Sequence, residues 1–387
     1  MIDTSGLQSM NNVEKPSKIL LVYGDVGSGH ASAAGALKEA FQDVYGSQVN
    51  VAAVDLYTIA DPAPWGDSDA SAAAFSQTAF LRKLNYFYNI VTDGGLGHYV
   101  LKQIILRRTL QPYRAFFEAN QPDLIVSLHP YTTITLSKLR EQGLNVPYAV
   151  VLTDLASVLR GWADPKADLT FSPTKEVTAA LENLGVSRKK IVAPLFPIRS
   201  SLQHMLSKER VFARHGLDPQ RTTLVITGGG VATRALRGAI ALLASKRYQL
   251  IVMCGKDKEI AEELRRDYQA NPSVVVLEYV RDVQNYFAHA DVIVTKAGAT
   301  SLLEIELFEK PAIITHEAGS QEEGNATYAL KNPRFRYLAG DMDKLLPNLE
   351  GLLALPNEGL PPSRRKFDES LEIVKHLGSL YINKPRV

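Results

Sequence analysis

Short apolar runs bounded by polar or turn-forming residues alternate with longer stretches whose apolar positions recur at helical spacing. The runs at 19–23, 49–54, 124–127 and 148–152 predict strands in the first half of the chain. Those at 223–227, 249–254, 273–277, 292–295 and 312–315 predict strands in the second. Between them, 32–45, 174–184, 256–268 and 301–308 predict helices. Strand–helix alternation of this kind implies parallel sheets joined by right-handed crossovers, an α/β class.

The alternation restarts near Thr222, after the segment from Pro194 to Pro197 and a polar stretch at 201–215 that predicts a helix. A boundary near residue 200 follows. It gives a polar tail over 1–17, a Rossmann-like domain over 18–200 and a second over 201–360, the two facing a central cleft. A helix predicted at 364–377, within 361–387, crosses back onto the first domain. A length of 387 residues suits two domains better than one. No internal repeat or low-complexity tract interrupts them.

Composition narrows the function classes. At 45% hydrophobic and 22% charged, the chain has the balance of a soluble globular protein. A formal net charge of +2 argues against a protein held to nucleic acid by phosphate contacts. Cys254 is the only cysteine, which excludes an internal disulfide and a cysteine-rich zinc site. The stretch 1–17 lacks the apolar core of a signal peptide, and no apolar run approaches the roughly 20 residues of a membrane span. These features predict a cytoplasmic protein.

Candidate chemistry gathers at the carboxyl ends of the predicted strands, where open parallel sheets bind ligands. Gly24-Asp25-Val26-Gly27-Ser28-Gly29-His30 lies between the first strand and the first helix. Its glycines let a ligand approach backbone N–H groups at a helix N-terminus, where anions are favoured. It is neither a dinucleotide fingerprint nor a P-loop. His30 is well placed to be a general base, the alternative being a structural histidine that caps the helix. Ser127-Leu128-His129-Pro130, Thr153-Asp154-Leu155 followed by Trp162, and Pro197-Ile198-Arg199 lie on the same edge of the first domain. In the second, Gly228-Gly229-Gly230 follows one strand, and Thr295-Lys296-Ala297-Gly298-Ala299-Thr300-Ser301 leads from another into a helix carrying Glu304. Glu304 can receive two ribose hydroxyls, or act only as a first-turn partner of the helix dipole. Gln321 and Glu322 offer donors and acceptors suited to sugar hydroxyls, and also fit a solvated helix start.

In this order the motifs resemble the monogalactosyldiacylglycerol synthases and processive diacylglycerol glucosyltransferases. More distantly they are similar to the transferase that adds GlcNAc to the undecaprenyl carrier of peptidoglycan synthesis. The resemblance runs from about Lys18 to Asn332. It implies the GT-B fold and an inverting hexosyl transfer from a UDP-sugar, with no bound metal or other cofactor. It implies His30 as the base, with Asp25 or Asp154 orienting it. Arg199 would meet the donor diphosphate, Glu304 the ribose, Gln321 and Glu322 the sugar, and backbone near Val280 the uracil. Gly29, Gly229, Gly298, Thr300, Ser301 and Asn325 complete the donor-binding set. Galactolipid synthases typically carry Pro-Gly where this chain has Ala299-Thr300, and an acidic residue and glycine where it has Val231-Ala232, which leaves the sugar, galactose or glucose, open. A UDP-sugar 2-epimerase and a non-enzymatic UDP-sugar binder are the other classes considered.

The acceptor expected from the resemblance is diacylglycerol or a related lipid. The segment 81–114 is rich in Tyr, Phe, Leu and Ile and carries Lys102, Arg107 and Arg108 among its basic residues. Such a segment suits an anionic membrane surface, and it also fits an amphipathic helical pair covering the sheet. With His129 and Trp162 it forms the expected acceptor and membrane side. The resulting expectation is a peripheral protein on the cytoplasmic face of the membrane.

Overall fold

A computed structural model describes residues 16–24, 29–60, 95–229, 233–317, 322, 324–356 and 360–381. Two six-stranded sheets carry the chain. The first consists of β1 (Ser17–Tyr23), β2 (Val49–Asp55), β3 (Leu124–Ser127), β4 (Tyr148–Val151), β5 (Leu169–Phe171) and β6 (Ile191–Val192), in the order β2-β1-β3-β4-β5-β6. The second consists of β7 (Thr223–Thr227), β8 (Gln249–Met253), β9 (Val274–Leu277), β10 (Val292–Thr295), β11 (Ala312–Ile314) and β12 (Phe335–Tyr337), in the order β12-β11-β10-β7-β8-β9. Every pairing in both sheets is parallel.

The strands are apolar throughout because both faces are covered. On β1, Ile19 and Leu21 enter one core while Leu20 and Val22 enter the opposite one. On β7, Leu224 and Ile226 face one core and Val225 the other. The longer helices of the first domain are α1 (Gly29–Tyr45), α2 (Gly95–Asn120), α3 (Pro130–Glu141) and α4 (Lys175–Asn183). Those that follow are α5 (Arg237–Ala244), α6 (Lys258–Asp267), α7 (Ala299–Leu307), α8 (Leu345–Leu353) and α9 (Glu369–Tyr381).

The two domains share a small core. Leu155, Phe196, Ile198 and Leu202 pack with Leu303 and Leu307 of α7. The C-terminal segment adds polar ties. Arg365 donates to the Pro173 carbonyl at 2.7 Å and the Tyr328 hydroxyl at 3.0 Å, and pairs with Glu369, whose carboxylate accepts from the Phe196 N–H. α9 then lays Ile373, Val374 and Leu377 against Ala33, Ala34 and Leu37 of α1.

Three local expectations are corrected. The helix predicted over 201–215 is a 3-10 turn at Ser200–Gln203 and a short helix at Lys208–Ala213. Between them, backbone groups of His204 and Leu206 are taken by Gln284, Asn285 and His289, which replace the helical bonds. The last helix starts at Glu369 rather than 364, after Arg365 has turned inward. Strands β5, β6 and β12 had no counterpart among the predicted runs.

Candidate active site

Each sheet has one place where the strand order reverses, between β1 and β3 in the first and between β7 and β10 in the second. Connections leave such a point in opposite directions and open a crevice beyond the strand ends. Gly29, His30 and His129 follow the strands at the first point, and Gly229, Gly298 and Thr300 those at the second.

On the first domain, His30 is the second residue of α1, and its Nδ1 lies 2.9 Å from the Thr153 hydroxyl beyond β4. His129, just past β3, stands edge-on to His30 with ring centroids 5.1 Å apart. Its own Nδ1 accepts from the Tyr131 N–H at 3.2 Å, capping α3, so the neutral ring carries its proton on Nε2. Burial, and then the charge of His30, hold the His129 pKa well below the usual histidine range. Gly24 completes this wall, since a Cβ there would come within 2.7 Å of the His129 ring.

Trp162 lies behind His30, fully buried, with its ring 6.1 Å away. Its indole N–H donates to Asp154 at 2.7 Å. Burial pushes the Asp154 carboxyl up to about 7 against the pull of that indole, and the negative charge of Glu322 adds to the rise. Two expectations change here. Asp154 accepts from the Trp162 indole, while it is Thr153 whose hydroxyl lies against His30 Nδ1. His129 at 4% exposure and Trp162 at 0% are buried beside His30, Trp162 within the apolar layer around β4, so neither offers an exposed surface to a membrane. Asp25 and Gln321 lie outside the described residues.

On the second domain, Gly298 caps α7, followed by Thr300 and Ser301 in its first turn. The N-termini of α1 and α7 face one another, and a Cβ on Gly29 would stand 3.7 Å from the Thr300 hydroxyl. Glu304, one turn further along α7, is 9% exposed, and burial raises its carboxyl to about 7 against the opposing charge of Arg199. Arg199 itself lies along α1, its guanidinium 3.4 Å from where a Gly35 Cβ would be. Gly229 turns beyond β7 with φ of 74°, and Val280 is half-buried between β9 and the next short helix.

Asn325 is buried at the seam between the domains. Its side chain accepts from the Leu155 N–H at 3.3 Å and donates to the Ala297 carbonyl at 3.0 Å. Its amide is therefore committed to a tie between the two strand-end loops. Beside it Gly324, with φ of 83°, leaves no room for a Cβ, which would meet Ala156 at 2.9 Å.

Sequence reasoning passed over two residues. Thr153 was read as part of a motif whose Asp drew attention. Lys296 is the first residue past β10 and pairs with Glu322 inside the crevice. The signal for both was position: each stands just beyond the carboxyl end of a central strand. Among the described residues no group of three or more His, Cys, Asp or Glu side chains could hold a metal ion.

Two Rossmann-like parallel domains with their switch points facing one cleft define a GT-B fold. Solved structures share it: the Staphylococcus aureus MnaA–UDP co-structure has a TM-score of 0.58 at 14% identity over 95% of this chain and 99% of that one. A UDP-GlcNAc 2-epimerase from Neisseria meningitidis bound to UDP-GlcNAc reaches 0.60 at 11% over 94% and 100%. Residues 30–198 match the profile of the monogalactosyldiacylglycerol (MGDG) synthase family, and 223–331 that of the glycosyltransferase family 28 C-terminal domain, so the chain carries both of these domains.

Among its relatives, the monogalactosyldiacylglycerol synthase of Spinacia oleracea is 27% identical over 84% of this chain and 64% of its own length. A probable synthase of the same kind from Glycine max is 26% identical over 82% and 62%. The processive diacylglycerol beta-glucosyltransferase of Staphylococcus aureus strain MRSA252 is 24% identical over 82% and 80%. The chain thus spans just under two thirds of the plant relatives' length.

Proposed function

We propose that this protein is an inverting glycosyltransferase that moves galactose or glucose from a UDP-sugar to diacylglycerol or a related lipid. The observation that carries the reading is the meeting of His30 and the α1 N-terminus with the α7 N-terminus across the domain seam. A base on one wall thus faces an anion-favouring wall with a buried carboxylate behind it. The names of the relatives support a diacylglycerol acceptor.

In this reading His30 Nε2 takes the proton of the acceptor hydroxyl, while Nδ1–H donates to the Thr153 oxygen and fixes the ring. The acceptor oxygen bonds to the anomeric carbon as the bond from that carbon to the diphosphate oxygen breaks, its electron pair leaving with UDP. A neutral His129 matters here, because a second cation beside His30 would oppose its protonation. Arg199 and the two helix N-termini meet the leaving charge, and this charge handling is proposed to work without a metal.

The lipid side of the proposal rests on α2. Tyr99 and Val100 are 60% and 49% exposed near its start, and Arg107 and Arg108 are exposed two turns on, with Lys102 half-buried between. An apolar tip followed by basic residues suits an anionic bilayer surface. Among the described residues no helix is long and apolar enough to cross a membrane.

The test is incubation with labelled UDP-glucose and UDP-galactose on vesicles containing diacylglycerol, followed by separation of the lipids. Labelled glycolipid that still forms in EDTA is expected. Free sugar without labelled lipid would favour an epimerase-type reaction, and loss of transfer in EDTA restored by Mg²⁺ would overturn the metal-free assignment.

A further inference from the structure

Lys296 is unusually placed for a lysine. It follows β10 directly, and its amine lies 3.1 Å from where a Cβ of Gly298, the N-cap of α7, would stand. Its Cε is 3.9 Å from the corresponding point on Gly229, in the loop beyond β7. The amine therefore fills the space that two glycines leave at the second domain's switch point. A cation beside a helix N-terminus opposes the helix dipole, so the spot carries positive potential from two sources at once.

Glu322 supplies the missing anion. Its carboxylate pairs with the Lys296 amine, and the two side chains are only 13% and 17% exposed. Glu322 also lies near the Gly298 position, at 3.8 Å from the same Cβ point. One carboxylate thus occupies the place where a glycine loop, a helix N-terminus and an ammonium converge, the features that together bind phosphate.

Resting on the UDP-sugar reading above, we infer that Lys296 is a diphosphate-binding residue held by Glu322 until the donor arrives. A diphosphate brings more negative charge and more acceptor oxygens than one carboxylate, so it displaces Glu322 from the amine. The displacement turns the Glu322 carboxylate toward the sugar of the same donor. Lys296 and Glu322 then act in sequence: the phosphates are recognised first, and the sugar contact forms as a consequence.

Opposite effects of the two side chains test this. Calorimetric titration with uridine and with UDP is run on the wild type, Lys296→Met, Lys296→Arg, Glu322→Gln and the double variant Lys296→Met/Glu322→Gln. Lys296→Met is expected to weaken UDP about 10- to 100-fold, the worth of hydrogen bonds to a charged group, and to leave uridine within about twofold. Lys296→Arg recovers most of the loss, and Glu322→Gln tightens UDP by removing the competing carboxylate.

The double variant leaves no buried charge without a partner, so its expected weak UDP binding is not a folding artefact. Equal UDP affinity in wild type and Lys296→Met, or a loss in Glu322→Gln as large as in Lys296→Met, overturns the inference and makes the pair structural. A wild type that binds neither uridine nor UDP overturns the donor reading, and this inference with it.

Discussion

In the proposed reading, Glu304 would give donor binding a pH dependence whose sign and size follow from its burial. Its carboxyl titrates at about 7, raised by desolvation although Arg199 favours the charged form. Accepting two ribose hydroxyls favours the carboxylate, because both bonds are then charge-assisted. Donor binding therefore releases a proton wherever free Glu304 is protonated, and affinity must rise with pH up to about 7 and level off above it. At pH 5 roughly 1% of the free protein carries the carboxylate, and ionising the rest costs about 2.7 kcal/mol at 1.36 kcal/mol per unit. UDP-glucose affinity should thus fall by up to about 100-fold between pH 8 and pH 5.

UDP-glucose suits the measurement, since its diphosphate diester stays fully ionised across that range while UDP gains a proton near pH 6. Calorimetry in buffers of different ionisation enthalpy counts the released proton directly. Asp154, also at about 7, contributes a slope of its own, so the comparison that isolates Glu304 is with Glu304→Gln. That variant should lose the Glu304 part of the slope and bind at pH 8 about as weakly as the wild type does at pH 5. Arg199→Met should move the midpoint upward, because the charge that favours the carboxylate is gone. Identical pH profiles in wild type and Glu304→Gln would refute the argument and leave Glu304 as a residue of its own helix.

Other perturbations test the remaining walls of the cleft. His30→Ala should lower kcat by about 10²–10⁴ with UDP binding little changed, and Thr153→Val by about tenfold through loss of the bond that fixes the ring. Asn325→Asp keeps an acceptor for Leu155 N–H but turns an oxygen toward the Ala297 carbonyl; steady-state kinetics should show a kcat loss of about 10- to 100-fold that exceeds the change in UDP affinity. Replacing Lys102, Arg107 and Arg108 together by Ser should reduce binding to phosphatidylglycerol vesicles and slow transfer to vesicle-borne diacylglycerol, while sparing a soluble short-chain acceptor; sedimentation equal to the parent would make α2 ordinary covering structure. A Cβ at Gly378 on α9 would overlap the Tyr45 hydroxyl and ring, so Gly378→Ala should cost about 1–3 kcal/mol in a thermal melt, most of it recovered in Gly378→Ala/Tyr45→Ala.

The architecture was legible in the sequence where burial is symmetric. The predicted runs at 124–127, 223–227 and 292–295 coincide with β3, β7 and β10, central strands whose side chains are apolar or small because cores cover both faces. β6 and β12 lie at sheet edges and β5 next to one, with two or three residues each and Thr170 or Arg336 among them. Pairing with a neighbour makes them strands, and pairing leaves no local periodicity. The same limit applies to the site. Strand-end position picked out His30, Asp154 and Glu304, but nothing local says that Thr153, and not its neighbour Asp154, reaches His30. The Lys296–Glu322 pair joins residues 26 apart across a strand and a loop, so only the folded chain reveals it.

That limit also explains why the seam between the domains matters more than either half. In this reading the base stands on α1 and the anion-favouring helix end on α7, so the distance between them is a property of domain placement. Several contacts fix that placement, and they are of different kinds. Leu303 and Leu307 bury against Phe196 and Ile198, Lys331 pairs with Glu176, and Arg365 bonds groups on both sides. The first is non-directional, and the exposed Lys331–Glu176 pair contributes little. Asn325 differs from both, because one amide must satisfy an N–H on the loop after β4 and a carbonyl on the loop after β10 at once. Those loops carry Thr153, which holds the base, and Gly298, which caps the anion-favouring helix. Sliding one domain past the other would leave both backbone groups without this partner in a buried setting, at about 1–3 kcal/mol apiece. The hydrogen bonds of a single side chain thus restrain the geometry on which the proposed transfer depends.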